Sequence, residues 1–105
     1  MKQLKHLATG LTLTIGLLAA PGIQADQALA QSKNCLACHQ VEVKVVGPSF
    51  KDVAAKYKGD SDAPAMLAAK VKAGGVGTWG QIPMPPNATV SDEEANTLVL
   101  WVLSQ

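Results

Sequence analysis

Cys35-Leu36-Ala37-Cys38-His39 places two thiols two residues apart, with an imidazole directly after the second. This C-x-x-C-H spacing suits covalent attachment of haem. Each thiol adds across one vinyl group of the porphyrin to give a thioether, and two intervening residues separate the sulfurs as the two vinyls require. The adjacent histidine then lies under the iron and supplies an imidazole nitrogen as one axial ligand. Two other chemistries use such cysteines. A C-x-x-C pair exchanges thiol for disulfide when a helix N-terminus activates its thiolate. Here the pair follows a helical stretch and no βαβ pattern surrounds it. Zinc needs four ligands, and there is no second Cys or His pair to complete them.

What fills the other face of the iron decides the chemistry. Met66 falls within a helical pattern and reads as a core or surface residue. Met84 sits in Ile82-Pro83-Met84-Pro85-Pro86-Asn87, where prolines on both sides fix the backbone and exclude a helix. Such a loop presents its thioether with little entropy left to lose. Met84 is therefore the expected second axial ligand beside His39. A soft sulfur favours ferrous iron and raises the potential. With both positions filled, substrate has no access to the metal, so the expected chemistry is outer-sphere electron transfer with no catalytic residue. The rival is a catalytic or sensory protein in which Met84 dissociates and admits peroxide or a gas.

Short helices must position these groups. Residues from about Gln27 to Cys35 are compatible with a first helix. Phe50, Val53, Ala54 and Tyr57 fall on one face of a second that ends near Gly59. A third starts around Asp62, with Pro64 in its first turn and Gly74-Gly75 at its end. The fourth carries a capping-box pattern in Ser91 and Glu94, followed by Ala95, Leu98, Val99 and Val102 as a buried stripe. Val41-Glu42-Val43-Lys44-Val45 alternates as a strand would, but no partner strand is evident. It reads as an extended loop with its valines packed on something apolar. Residues 74–89 read as a structured loop.

The first residues look like an export signal. Lys2 and Lys5 precede an uncharged run from Leu7 to Ala20, then Pro21-Gly22 and a small residue, Ala25, before Asp26. The pattern predicts a signal peptide over residues 1–25, cleaved after Ala25. The apolar run is shorter than the roughly 20 residues a bilayer span needs. The expected mature form, residues 26–105, is soluble and periplasmic, without membrane insertion. It holds seven basic residues against eight acidic ones, and His39 is its only histidine. That balance excludes a polybasic nucleic-acid binder. Only 4 % of the chain is aromatic, so a domain this small needs a staple or a bulky apolar guest to fill its core.

Cys35–His39, Val46-Gly47-Pro48, Lys51-Asp52-Val53-Ala54-Ala55-Lys56, Trp79-Gly80, the Ile82–Asn87 loop and Trp101-Val102-Leu103-Ser104 together resemble bacterial class I cytochrome c of the c-551 type. The resemblance spans residues 26–105 in order. It implies an all-α class I cytochrome c fold, four or so short helices wrapped around one covalently bound haem c, with the first and last helices crossing. It further implies that the Pro48 carbonyl accepts the ring N–H of His39, that Trp79 hydrogen-bonds a haem propionate, and that Asn87 hydrogen-bonds near the Met84 sulfur. The resemblance implies an arginine facing a haem propionate where Lys70 stands; lysine lacks that bidentate fork, and a surface role for Lys70 is the alternative. The resemblance implies a monomeric respiratory-chain carrier with transient redox partners: a cytochrome bc complex as donor, and the nitrite reductase of denitrification or a terminal oxidase as acceptor. An exposed haem edge would be ringed by Val43 and Val45, with lysines nearby to steer acidic surfaces.

Overall fold

The computed structural model describes residues 10–16 and 22–105. Lys2, Lys5 and Pro21 of the expected export signal lie outside them, and the expected processing position after Ala25 falls within the first helix. Four α-helices form the described fold: α1 (Gly22–Ser32), α2 (Phe50–Lys56), α3 (Ala63–Ala73) and α4 (Asp92–Leu103), with a 3₁₀ turn at Cys35–Ala37. α4 packs against all three others. No strand occurs among the described residues, so the expected all-α class is the one found. None of the described helices is long and apolar enough to cross a membrane.

Local chemistry sets the helix ends. α1 ends at Ser32, and Asn34 just beyond it has a left-handed φ of 62°, a conformation asparagine tolerates better than most residues. This bend swings the chain out of α1 and into the 3₁₀ turn that begins at Cys35 and is capped by Cys38. Ser49 caps α2: its buried hydroxyl accepts from Asp52 N at 3.1 Å. The next two N–H groups are taken by the loop before the helix, Phe50 N by the Gln40 carbonyl and Lys51 N by that of Val41. The orphan donors of α2 thereby fold residues 39–48 back over its start. α4 opens with the anticipated capping box: Glu94 N donates to Ser91 Oγ at 3.1 Å, and Ser91 N to Glu94 Oε1 at 3.0 Å.

The core gathers Ala30 of α1, Phe50 of α2, Ala68 of α3 and Val90 with Ala95, Leu98, Val99 and Trp101 of α4. Phe50 stands between two rings. It stacks on His39 at 5.3 Å and meets Trp101 edge-on at 5.2 Å. The Val41–Val45 segment departs from expectation. It is an irregular loop, as anticipated, but only Val41 packs on the core. Val43 and Val45 are 58 % and 50 % exposed. Alternation aligns side chains with a core only where strand pairing holds the chain flat, and the bends here release it.

Candidate haem site

Cys35 opens the 3₁₀ turn and Cys38 caps its end, and His39 N donates to the Cys35 carbonyl at 3.0 Å. The two thiols are free of one another. Burial pushes the Cys35 thiol above its ordinary pKa; a backbone hydrogen bond opposes this and the neighbouring Cys38 adds to it. A thiol held protonated is the reverse of the activated thiolate that exchange chemistry needs.

His39 is oriented from two sides. Its Nδ1 lies 2.7 Å from the Pro48 carbonyl oxygen. A carbonyl only accepts, so Nδ1 carries the proton and the Nε2 lone pair is left for another partner. Gly47 packs directly on the ring: a Cβ there would fall 2.9 Å from Nδ1 and 3.0 Å from Nε2. Gly47 N in turn donates to the Cys38 carbonyl at 2.8 Å, so the loop is tied to the cysteine turn as well.

Met84 is held by its backbone. Met84 N donates to the Gly75 carbonyl at 2.8 Å, and Gly75 N to the Met84 carbonyl at 3.0 Å. Gly74, with φ of 74°, lets the end of α3 approach this pair; a Cβ at 74 would meet the Met84 carbonyl oxygen at 2.5 Å. Asn87 tethers the other side of the loop. Its Nδ2 donates to the Val71 carbonyl at 2.8 Å and the Pro85 carbonyl at 3.4 Å, while Asn87 N donates to Lys72 O.

These elements enclose one cavity of about 490 Å³. Cys35, Cys38, His39, Pro48, Trp79, Met84 and Asn87 all line it, whereas Met66 stands elsewhere, 45 % exposed on α3. Phe50, Leu98, Val99 and Trp101 supply an apolar floor. The indole Nε1 of Trp101 is buried without a hydrogen-bond partner. At the mouth, Trp79 is partly exposed, with the Lys56 ammonium 5.6 Å from its ring centroid. Three lysines, Lys33, Lys44 and Lys70, line the cavity, and no Asp or Glu does.

The donor set fits haem c. Two thiols stand beside an imidazole with a free nitrogen, a thioether is fixed on a loop of the same cavity, and the floor is apolar. Pattern reading did not find Gly47 or Gly75. Gly47 lay within the quoted Val-Gly-Pro run, but its contact with His39 appears only once the loop has folded.

A family model for cytochrome c matches residues 23–105. Cytochrome c-552 of Nitrosomonas europaea is 58 % identical over 88 residues, covering 84 % of this chain and 85 % of that protein. Cytochrome c-551 of Pseudomonas aeruginosa is 54 % identical over 95 residues, covering 89 % and 90 %. The crystal structure of wild-type Nitrosomonas europaea cytochrome c552 aligns with a TM-score of 0.73, covering 74 % of this chain and 96 % of that one. Class 1 cytochrome MtoD of Sideroxydans lithotrophicus, 35 % identical, aligns at 0.65, covering 78 % and 94 %.

Proposed function

The chain belongs to the cytochrome c family, and on that footing we propose that it is a soluble periplasmic carrier whose single haem c is bonded to Cys35 and Cys38 and ligated by His39 and Met84. Membership makes it a monohaem electron-transfer protein with redox partners. The ligand pair, the compartment and the partners are the proposal. The observation that carries it is the 2.7 Å contact of His39 Nδ1 with the Pro48 carbonyl, which leaves Nε2 as the ring nitrogen available to a ligand in a cavity that Met84 also lines.

When bound, haem supplies a one-electron couple at its iron. The chain's part is to hold that couple steady. Pro48 and Gly47 fix the imidazole in plane and tautomer and raise its basicity. The paired hydrogen bonds between Gly75 and Met84, with the Asn87 tether, keep the loop in place so that ligation orders little further chain. The Phe50, Leu98, Val99 and Trp101 floor excludes water, which limits reorganisation around a changing charge. With His39 and Met84 both engaged on bound haem, electrons would pass through the exposed side of the cavity.

Export with cleavage after Ala25 gives residues 26–105 the compartment in which haem c is attached. The partners proposed are a cytochrome bc complex as donor, and a nitrite reductase of denitrification or a terminal oxidase as acceptor. They meet the chain transiently over a small interface. Among the lysines of the described structure, Lys33 pairs with Glu94, Lys51 with Glu42 and Lys72 with Asp92. Steering therefore falls to Lys44 and Lys56.

A visible spectrum of the exported protein in both redox states tests this reading. Covalent haem that resists acid-acetone extraction, with a sulfur-to-iron charge-transfer band in the far red of the oxidised form, is the expected result. Absence of that band, with ready carbon monoxide binding at neutral pH, would overturn the ligand assignment.

A further inference from the structure

The mouth of the cavity carries one contact that the ligand set does not use. Lys70 Nζ lies 2.6 Å from Thr78 Oγ1. An ammonium has no lone pair, so Lys70 donates and the threonine oxygen accepts. The threonine's own O–H is thereby free to donate to something else. We infer that the Thr78 hydroxyl is a direct hydrogen-bond donor to the haem carboxylate that the resemblance sets beside Lys70. This deepens the proposed function and rests on haem c occupying this cavity.

Charge points the same way. Haem carries two carboxylates, and an apolar floor cannot solvate them, so they must lie where the lining is polar. No Asp or Glu lines the cavity, and its charged side chains are lysines. Lys33, at the end of α1, is spent on the Thr89 carbonyl and Glu94. Lys44, from the loop that also carries His39, is exposed. Lys56 of α2 reaches the mouth only through the face of Trp79. α4 adds Leu98, Val99, Trp101 and Val102, none of them charged. Lys70 of α3 is the half-buried cation without a carboxylate partner in the described structure, and its hydrogen bond goes to Thr78.

The backbone is shaped to hold this pair. Gly75 leaves room for the lysine stem, since a Cβ there would sit 3.0 Å from Lys70 Cε. Thr78 stands in a tight turn closed by Gly77 N donating to the Gly80 carbonyl at 3.0 Å, with both glycines at positive φ. The Lys70–Thr78 hydrogen bond ties that turn to α3.

The test follows reduction potential against pH, by spectroelectrochemistry on haem-loaded wild type, Thr78→Val and Thr78→Ser. Ionisation of a haem carboxylate stabilises ferric iron, so it appears as a fall in potential with rising pH. Losing a donor to the anion moves that ionisation upward. We expect Thr78→Val to shift it by about half a pH unit or more, and Thr78→Ser to stay with wild type. The Val shift should persist in a Lys70→Met background, because the hydroxyl itself donates. Coincident titrations in all three proteins, flat titrations, or a shift that vanishes once Lys70 is replaced would each overturn the inference. The far-red band of the same samples reports the His39/Met84 reading separately, and the titration is readable with or without it.

Discussion

The imidazole of His39 and the backbone of Gly47 touch so closely that no side chain fits between them. Because Gly47 N also donates to the Cys38 carbonyl, the glycine cannot retreat without loosening the turn that holds both cysteines. Gly47→Ala should therefore retain covalent haem but lose stability, by about 1–3 kcal/mol as expected for an overpacked site. Guanidinium unfolding of the haem-loaded protein measures it. An unchanged midpoint would mean that the 39–48 loop gives way freely.

The two methionines of the described fold should behave oppositely. Met84 lines the cavity on a loop pinned to Gly75, and Met66 is 45 % exposed outside it. Met84→Ala is expected to leave haem attached, lower the potential by on the order of 0.1 V within the ~0.8 V range that axial ligands span, and admit carbon monoxide or imidazole. Met66→Ala should do none of these. Redox titration with a ligand-binding assay separates the two, and matching behaviour would remove Met84 from the iron.

Much of this arrangement was legible because it is local. Ser91 and Glu94 are three residues apart, and their reciprocal cap forms whatever the rest of the chain does. Prolines 83, 85 and 86 exclude a helix around Met84 by covalent geometry alone. What escaped sequence reading depends on segments far apart in the chain. The contact of Gly47 with His39, the hold of Gly75 on Met84 and the bond from Lys33 to Thr89 O each need two elements already docked. The alternating valines misled for a related reason. Periodicity records which way side chains would point in a flat strand, and nothing in residues 41–45 announces that the loop bends and leaves Val43 and Val45 facing outward.

At the start of α4, the hydrogen bond from Ser91 N, then that from Lys33, hold the Glu94 carboxyl below its ordinary pKa. The folded state therefore binds that proton less readily than the unfolded chain does. The stabilisation is fully present above the unfolded value of about 4.3 and is lost as pH falls through the depressed folded value. Glu94→Gln should flatten this part of the stability–pH curve. Ser91→Ala should cost about 1 kcal/mol at neutral pH by removing the cap. Urea unfolding at a series of pH values checks both, and a curve unchanged in Glu94→Gln would show that the exposed pair does not couple to folding.

Phe50 links the ligand to the core. Its ring stacks on His39 at an interplanar angle of 22° and meets Trp101 at 72°, and the residue is 5 % exposed. Phe50→Ala removes the middle of this stack and opens a void beneath the imidazole, at a cost of about 3–5 kcal/mol. Phe50→Leu keeps most of the volume but not the ring, so it should cost less. The two variants separate packing from ligand orientation. If the phenyl ring only fills space, Leu restores both stability and the far-red band. If stacking fixes the plane of His39, Leu restores stability while the paramagnetic NMR shifts of the ferric haem methyls, which follow the orientation of the axial imidazole, still move. The second outcome is expected, because the near-parallel geometry is one a branched aliphatic side chain cannot reproduce.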